Sequence, residues 1–453
     1  MIEGSPATQI PRAREYALRI LERVHNDRAY ASRILPFEGQ ELDPSARAFL
    51  QHLVKGTLQW QEALDAVVAR YLTGSKETVP DEVKLILRLS TYQLLFLDRA
   101  PPAIVVNEAV TLTKKRKYFR FSGLVNALLR KVAAQRATLR SELYGEAATP
   151  EGLALATSHP EWLVRRWVER WGFEEAKALC VWNNTRWPIT VRANALKTDC
   201  RSLAELLLSE GVMTEGCKYS SSCLRVLHKN RDLRWEDLHS FQEGLFMIQD
   251  ESAALVAELM DPKPGETIID LCSAPGGKTT HLAALMKNEG TIYAVDSHEH
   301  RLDLVRENVA RLGVTNVECI AGDARTVVLP GPVDRVLVDA PCSGLGVLGR
   351  KAEIRWRIVE SELNDLVALQ GQLMRRAAAL VKSGGRVVYS TCTIEPEENE
   401  GVIDAFLKEC PEFALVPCSA LDPALRTERG FYFAIPQRVR MAGAFCAILE
   451  RKS

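Results

Sequence analysis

The chain has 453 residues, of which 47% are hydrophobic and 26% charged, and its formal net charge is zero. This length exceeds what one hydrophobic core organises, so we expect two or three domains. The N-terminal sequence has no apolar signal region and no apolar run reaches membrane-spanning length, which predicts a cytoplasmic protein without membrane contact. Eleven cysteines at irregular spacing argue against a disulfide framework. The absence of CxxC or HxxxH pairs gives no support for a metal site.

The first part of the chain, residues 11–142, spaces its apolar residues at three and four, which predicts an all-α bundle. Residues 1–140 hold 22 Lys and Arg against 14 Asp and Glu. This basic excess fits a polyanionic partner, although a solvated helical face explains it equally well. Within residues 114–131, basic side chains alternate with Tyr118, Phe119 and Phe121. These aromatics either stack on bases or anchor the next helix in the core.

Two runs in this region, IVVNEAVTLTKK and FSGLVNALLRK, resemble the NusB-like RNA-binding domain. The resemblance implies that residues 1–142 form a helical RNA-binding domain.

Residues 143–244 mix helical and strand patterns. HPEWLVRRWVERWGFEEAKAL (159–179) predicts a helix, PITVRANALKT a strand, SLAELLLSEG a helix, and LRVLH and GLFMIQD short strands. The alternation predicts a small α+β domain of the RRM-like kind. Arg192 and Lys197 are candidates to face RNA, and an ordinary strand surface explains them equally well.

Residues 245–453 alternate strand and helix patterns regularly. ETIIDLC, GTIYAVD, NVECIAGD, DRVLVDAP and GGRVVYST have the apolar character of parallel strands covered on both faces. GFYFAI and GAFCAILERK predict an antiparallel pair at one edge. The expected fold is therefore a doubly wound α/β sheet of the Rossmann-like kind, with ligands at the carboxyl ends of its strands.

The loop after the first strand of this domain, DLCSAPGGKTT, is rich in residues that shape a ligand-binding turn. Adjacent glycines permit a tight turn and close approach to a ligand, and the proline stiffens the loop. GGKTT also looks like the end of a phosphate-binding P-loop, but that motif needs a glycine where this chain has Cys272. The predicted cofactor-binding loop comprises Cys272, Ser273, Ala274, Pro275, Gly276, Gly277 and Lys278.

Acidic residues follow the next strands. Asp296 ends the second strand, nineteen residues after Gly277, where a doubly wound fold offers a carboxylate to ribose hydroxyls. Asp323 follows the third strand, at the expected place of an adenine ring, and Asp339 follows the fourth. Successive carboxylates would repel polyphosphates but suit a nucleoside with a cationic sulfonium. S-Adenosylmethionine is such a cofactor, and it is the one we expect.

Two cysteines follow buried strands, Cys342 in VDAPCSG and Cys392 in YSTCT. Each alone is most often a packing residue. A thiolate that adds to carbon 6 of cytosine makes carbon 5 able to attack a methyl group, which is covalent catalysis. PEENEGVIDAFLKE, after Cys392, predicts a helix with Pro396 in its first turn, whose positive end would favour the thiolate.

Together, CSAPGGKT, VDAPCSGLG and YSTCTIEPEENE resemble the RNA cytosine-C5 methyltransferases. The resemblance implies that Cys392 is the nucleophile, that Cys342 assists product release, and that Asp339 contacts the target base. With a NusB-like domain ahead, the closer resemblance is to RsmB/Fmu-type bacterial 16S rRNA methyltransferases. The implied substrate is 16S rRNA, and the implied catalytic domain spans residues 245–453, after the α+β domain at 143–244.

Three alternatives remain open. DNA C5 methyltransferases place their nucleophile in a Pro-Cys motif, so Cys342 rivals Cys392 on chemical grounds, and a DNA substrate stays possible. A non-catalytic RNA-binding factor would keep the fold as a scaffold.

The chain also departs from the family in GRKAEIRW, where Ala352-Glu353 replaces the usual Pro-Asp, and we transfer no function to that segment.

Overall fold

The computed structural model describes residues 6–72, 78–98, 100–143, 145, 147–230, 233–329 and 331–453. By its internal contacts the chain forms two compact units. The helical unit comprises Met1–Thr185 together with Leu348–Arg357, and the sheet unit comprises Arg186–Val347 together with Ile358–Ser453. The domain limits expected at 142 and 244 remain predictions, and the first five residues of the expected helical domain lie outside the described residues.

The helical unit confirms the expected all-α pattern. Its helices are α1 (Pro6–Asn26), α2 (Ala31–Ile34), α3 (Pro44–Gln59), α4 (Gln61–Leu72), α5 (Asp81–Phe96), α6 (Pro102–Lys115), α7 (Ser122–Ala134), α8 (Arg136–Leu143), α9 (Pro150–Thr157), α10 (Glu161–Trp171) and α11 (Phe173–Asn183). Every residue of α5 from Leu85 to Leu95 is buried, so α5 is the central helix of the bundle. Gly56 permits the close approach of α3 to α5, because a Cβ at Gly56 would lie 2.0 Å from the Tyr92 ring.

In this unit one sequence prediction is wrong, and another holds for only one of its two residues. The single helix expected over 159–179 is broken into α10 and α11 at Gly172, whose φ of 83° is the left-handed conformation that glycine tolerates. The two phenylalanines after α6 behave differently: Phe121 is buried, whereas Phe119 is 63% exposed. The core interpretation therefore holds for Phe121 and not for Phe119.

The sheet unit contains two sheets. Its strands are β1 (Thr190–Ala193), β2 (Val212–Gly216), β3 (Cys223–Lys229), β4 (Phe246–Ile248), β5 (Thr267–Asp270), β6 (Thr291–Asp296), β7 (Val317–Ala321), β8 (Val333–Asp339), β9 (Val381–Thr391), β10 (Phe413–Val416), β11 (Tyr432–Ala434) and β12 (Ala444–Arg451). Its helices are α12 (Cys200–Ser209), α13 (His239–Gln242), α14 (Glu251–Met260), α15 (Gly277–Leu285), α16 (Glu299–Leu312), α17 (Glu362–Leu380), α18 (Glu400–Glu409) and α19 (Pro436–Val439).

The small sheet has the order β2-β3-β1-β4, and its neighbouring strands are antiparallel. The large sheet has the order β10-β12-β9-β8-β5-β6-β7, with β11 also paired to β12. Strands β5 to β9 are parallel, and β11 and β12 form the predicted antiparallel pair. The chain runs outward from β5 to β7 and then returns to β8 on the other side of β5. This reversal opens a crevice at the carboxyl ends of β5 and β8, where such folds bind ligands.

A further structural observation concerns membranes: among the described residues, no helix combines the length and apolarity needed to cross one.

Candidate functional site

The two strand-end cysteines meet at the carboxyl edge of the large sheet. The Sγ atoms of Cys342 and Cys392 lie 3.4 Å apart, and both residues are partly exposed. The backbone N–H of Cys392 also donates to the Cys342 sulfur at 3.4 Å. Because β8 and β9 are parallel neighbours, their exits lie side by side, and residues 50 positions apart in sequence become a thiol pair.

The pair does not hold its protons evenly. The hydrogen bond to Cys392 raises the pKa of Cys342 well above its ordinary value, and burial and the Glu398 carboxylate add to the effect. Two thiols within hydrogen-bonding distance titrate as one system, in which the two sulfurs share the proton that remains after the first ionisation. The raised pKa therefore favours retention of the shared proton on Cys342.

A lysine and an aspartate form an ion pair in the same crevice. Lys278 Nζ lies 2.7 Å from Asp339 Oδ2, with only 15% of the lysine side chain exposed. Burial opposes protonation of Lys278, but Asp339, with Cys392 and Asp270, outweighs it and raises the pKa of the ammonium. The Ser390 hydroxyl donates to the other Asp339 oxygen at 2.8 Å. A fixed cation thus interacts electrostatically with Cys392, which favours a thiolate there.

The predicted glycine loop joins β5 to α15. Gly276 has a φ of 93°, and a Cβ there would lie 3.3 Å from Val305. The Ser273 N–H and hydroxyl both donate to the Val295 carbonyl, at 2.8 and 3.0 Å, which fastens the loop to β6. Arg301 donates to the carbonyl of Ala274, and Asn308 donates to that of Pro275. Hydrogen bonds to residues outside the loop thus hold in place the stretch between Cys272 and Gly277.

Asp270 is a further residue of the candidate site that is not among the predicted residues. It ends β5, is fully buried, and accepts a hydrogen bond from the Thr279 hydroxyl at 2.7 Å. Burial raises the pKa of Asp270 to about 7, and the Asp339 carboxylate adds to the shift. Its position directly before the quoted glycine loop was the available signal.

The remaining predicted carboxylates, Asp296 and Asp323, differ in their exposure and in the hydrogen bonds and ion pairs that they make. Asp296 ends β6, is 3% exposed, accepts from the His298 N–H at 3.1 Å and pairs with Arg301 at 3.2 Å. A carboxylate has about four lone-pair positions, so it retains capacity for ligand hydroxyls. Asp323 is 42% exposed and is gripped by Arg325, whose hydrogen bonds lower the pKa of Asp323 to about 2.

A buried polar brace behind the two cysteines was not predicted. The Glu398 carboxylate accepts from the Ser343 N–H at 2.8 Å, from the Ser343 hydroxyl, and from the Gln370 amide at 3.0 Å. Asn399 accepts from the Thr391 hydroxyl at 2.6 Å and donates to the Thr393 carbonyl at 3.2 Å. Glu398 therefore holds the loop after Cys342, and Asn399 holds both neighbours of Cys392.

Two functional expectations are wrong in this region. Pro396 does not lie in the first turn of a helix, because α18 begins at Glu400 and residues 396–399 form a turn. Lys278, by contrast, does interact electrostatically with Cys392. Arg192 does not face solvent or RNA: it is 1% exposed and donates to Gln249 Oε1 and to the Gly277 carbonyl, both at 2.6 Å. Arg192 thus fastens the small sheet to the glycine loop.

Comparisons with known proteins agree with this organisation. A family model described as 16S rRNA methyltransferase RsmB/F matches residues 257–450. The NusB family model matches residues 11–134, and a ferredoxin-like domain model of RsmF/B-like methyltransferases matches residues 159–233. These matches confirm the expected succession of a NusB-like helical region, a small α+β region and a methyltransferase fold.

Two of the following relatives cover nearly the whole chain, and a third covers about two thirds of it. The Bacillus subtilis protein named probable ribosomal RNA small subunit methyltransferase B is 36% identical over 94% of this chain and 92% of that protein. The crystal structure of PH0851 has 29% identity and a TM-score of 0.79, covering 99% of this chain and all of that one. A methyltransferase homolog from Pyrococcus horikoshii has 30% identity and a TM-score of 0.60, covering 68% of this chain and all of its own.

Proposed function

The chain belongs to the 16S rRNA methyltransferase RsmB/F family, and from that premise we propose that it transfers a methyl group from S-adenosylmethionine to carbon 5 of a cytosine in 16S rRNA. The observation that carries the proposal is the Cys342–Cys392 pair, 3.4 Å apart, beside the Lys278–Asp339 ion pair. Methyl transfer to an oxygen or an exocyclic nitrogen needs no such thiol. Carbon 5 of cytosine needs one, because it is too weak a nucleophile by itself.

The crevice fits the proposed cofactor. The positive φ of Gly276 lets the loop turn sharply into α15, and Asp296 offers carboxylate oxygens at the end of β6. The loop from Cys272 to Lys278 would hold the methionine portion, Asp296 the ribose and Asp323 the adenine ring. When bound, the cofactor supplies an electrophilic methyl group on a cationic sulfur, a charge that the carboxylates of the crevice favour.

Cys392 is the proposed nucleophile. Its thiolate forms a bond to carbon 6 of the cytosine, and the electron pair of the C5–C6 double bond makes carbon 5 reactive. Once carbon 5 is methylated, its proton must leave and the Cys392–C6 bond must break, which restores the aromatic ring. Lys278 stabilises the sulfur anion at the beginning and at the end of this sequence, because a fixed cation favours the ionised thiol.

Cys342 is the proposed release residue. It keeps its proton in the resting pair, and its sulfur lies 3.4 Å from the sulfur that has to be expelled. Cys342 can therefore give this proton to the Cys392 sulfur as the Cys392–C6 bond breaks, and the resulting Cys342 thiolate can take the carbon 5 proton. One proton then leaves the thiol pair to solvent, which restores the Cys392 thiolate. Asp339, fixed between Lys278 and the Ser390 hydroxyl, would contact the base. The target cytosine has to be unstacked to reach the thiol, so we expect an exposed loop or single strand as substrate.

The helical unit offers a surface suited to RNA. Phe119 is 63% exposed in the short 3-10 turn before α7, and Arg120 follows it directly. Lys114 and Lys117 lie on the same stretch of chain and are exposed. An exposed aromatic ring among cations supports base stacking combined with phosphate contact.

The test is transfer of a labelled methyl group from S-adenosylmethionine to 16S rRNA, followed by digestion to nucleosides. We expect the label in 5-methylcytidine, its loss with Cys392→Ala, and near-normal transfer with Cys410→Ala as a matched cysteine control. Label in another nucleoside, or full transfer by Cys392→Ala, would overturn the proposal.

A further inference from the structure

Arg192 of the small sheet contacts the predicted cofactor loop where that loop becomes α15. Its Nη1 donates to the Gly277 carbonyl, 85 positions further along the chain, at 2.6 Å. Its Nη2 donates to the Thr280 hydroxyl at 3.2 Å, and that hydroxyl donates to the Gly276 carbonyl at 2.7 Å. One guanidinium therefore holds Gly277 directly and Gly276 through Thr280.

Gln249, which directly follows β4, fixes the guanidinium from the side of the small sheet. Its Oε1 accepts from Arg192 Nη1 at 2.6 Å. The backbone of Gln249 is itself fixed by Thr190, because its N–H donates to the Thr190 carbonyl at 3.2 Å and its carbonyl accepts from the Thr190 hydroxyl at 2.6 Å. A Cβ at Gly277 would lie 3.5 Å from Gln249 Nε2, so the amide packs against the loop. The ends of β1 and β4 thus form one side of the loop's support.

The burial of Arg192 is costly, and its hydrogen bonds include no ion pair. In the part of the chain that the structure describes, its acceptors are an amide oxygen, a backbone carbonyl and a hydroxyl, while its Nε has no partner. Burial lowers the pKa of Arg192 to about 10, so the guanidinium stays charged at neutral pH. An apolar side chain of similar length would fill the same space without this cost. The charge and its donors therefore indicate a role beyond packing.

The opposite side of the loop is held by α16. Arg301 and Asn308 of α16 donate to the carbonyls of Ala274 and Pro275, at 3.1 and 3.0 Å. These bonds hold the first half of the loop, whereas the bonds of Arg192 hold the second half, which contains the two glycines. Removing the Arg192 bonds should therefore loosen the second half while the first half stays attached to α16.

From these contacts we propose that Arg192 is a positioning residue for the cofactor loop, through which the small sheet sets the affinity for S-adenosylmethionine. The inference rests on the proposed function, in which residues 272–278 hold the methionine portion of the cofactor. A loop that is already held in its binding conformation loses less conformational entropy when the cofactor binds. Arg192 acts through Gly277 and Thr280, so its loss should weaken cofactor binding more than it slows the chemical step.

The experiment measures binding of S-adenosylmethionine to the RNA-free full chain by isothermal titration calorimetry. Arg192→Met removes the donors at similar length, and Arg192→Lys restores a cation that can reach one acceptor. Arg335→Met is the matched control, because Arg335 is also a buried arginine of the sheet unit and donates to the Met260 carbonyl, but near the amino end of β8 and paired with Glu266.

We expect Arg192→Met to raise the dissociation constant about tenfold or more, with partial recovery in Arg192→Lys. Arg335→Met should bind like wild type even where it lowers the melting temperature. In transfer assays with Arg192→Met, the KM for S-adenosylmethionine should rise by a similar factor, while kcat at saturating cofactor and the KM for 16S rRNA stay near the wild-type values.

Equal dissociation constants for Arg192→Met and wild type, or equal weakening in Arg192→Met and Arg335→Met, would overturn the inference. If Arg192→Met does not fold, Thr280→Val removes the hydroxyl that bonds to the Gly276 carbonyl at nearly the same size and should also weaken binding; unchanged binding there would overturn the inference too. A wild-type chain that does not bind S-adenosylmethionine would overturn the proposed function itself, whereas a wild type that binds beside an unaffected variant refutes only the role of Arg192.

Discussion

Selective alkylation of the RNA-free enzyme tests the uneven sharing of protons in the thiol pair. An ordinary thiol with a pKa of about 8.5 is roughly 10% ionised at pH 7.5, and each further unit lowers that fraction about tenfold. The bond to Cys392 and burial raise the pKa of Cys342 well above its ordinary value. Since both residues are partly exposed, brief iodoacetamide treatment should label Cys392 at least about tenfold faster than Cys342.

Mass spectrometry of tryptic peptides separates the two sites. Cleavage gives peptides 336–350 and 387–408, which contain Cys342 and Cys392 respectively and no other cysteine. In a Cys392→Ala variant the largest cause of the Cys342 shift is removed, so labelling of Cys342 should accelerate. Faster labelling of Cys342 than of Cys392 in the wild-type enzyme would refute the assignment.

Other predictions concern the groups around the pair. Burial raises the pKa of Asp270 to about 7. The folded chain therefore keeps a proton that the unfolded chain releases near pH 4. Because of this difference, thermal stability should fall as pH rises from 5 to 8. Asp270→Asn should flatten that slope, and an unchanged slope would contradict the shift. Lys278→Met removes the cation paired with Asp339 and should slow methylation at pH 7 about tenfold or more, with partial recovery at higher pH; an unchanged rate would count against its role. Glu398→Gln weakens the hydrogen bonds from three buried donors and should destabilise the protein by about 1–3 kcal/mol in thermal unfolding. The same change at the exposed Glu397 should not destabilise it. Equal effects of the two changes would show that the buried hydrogen bonds of Glu398 do not stabilise the fold.

The candidate site could be predicted from the sequence where its residues stand at the ends of apolar strands. Asp296, Asp339, Cys342 and Cys392 each stand at or just after the end of an apolar strand. The carboxyl ends of parallel strands share one edge of a sheet, so these residues were expected to meet. The structure places Cys342 and Cys392 in contact for that reason.

Contacts that depend on tertiary packing were not predictable in the same way. Arg192 lies on a strand pattern with no mark of burial, yet its charge is satisfied by Gln249 and the Gly277 carbonyl from distant parts of the chain. Glu398 was visible only as one acid among several before α18. The assignment of Leu348–Arg357 to the helical unit has no periodic signal, because it depends on individual hydrogen bonds such as that from Trp356.

The decisive measurement is the site of covalent attachment to RNA. The Cys342→Ala enzyme, incubated with 16S rRNA and S-adenosylmethionine, is digested with nuclease and trypsin, and the peptide carrying a methylated cytidine is identified by mass. We predict that mass on peptide 387–408, at Cys392, and no adduct from the Cys392→Ala enzyme. An adduct on Cys342 in the Cys392→Ala enzyme, with none on Cys392, would contradict it.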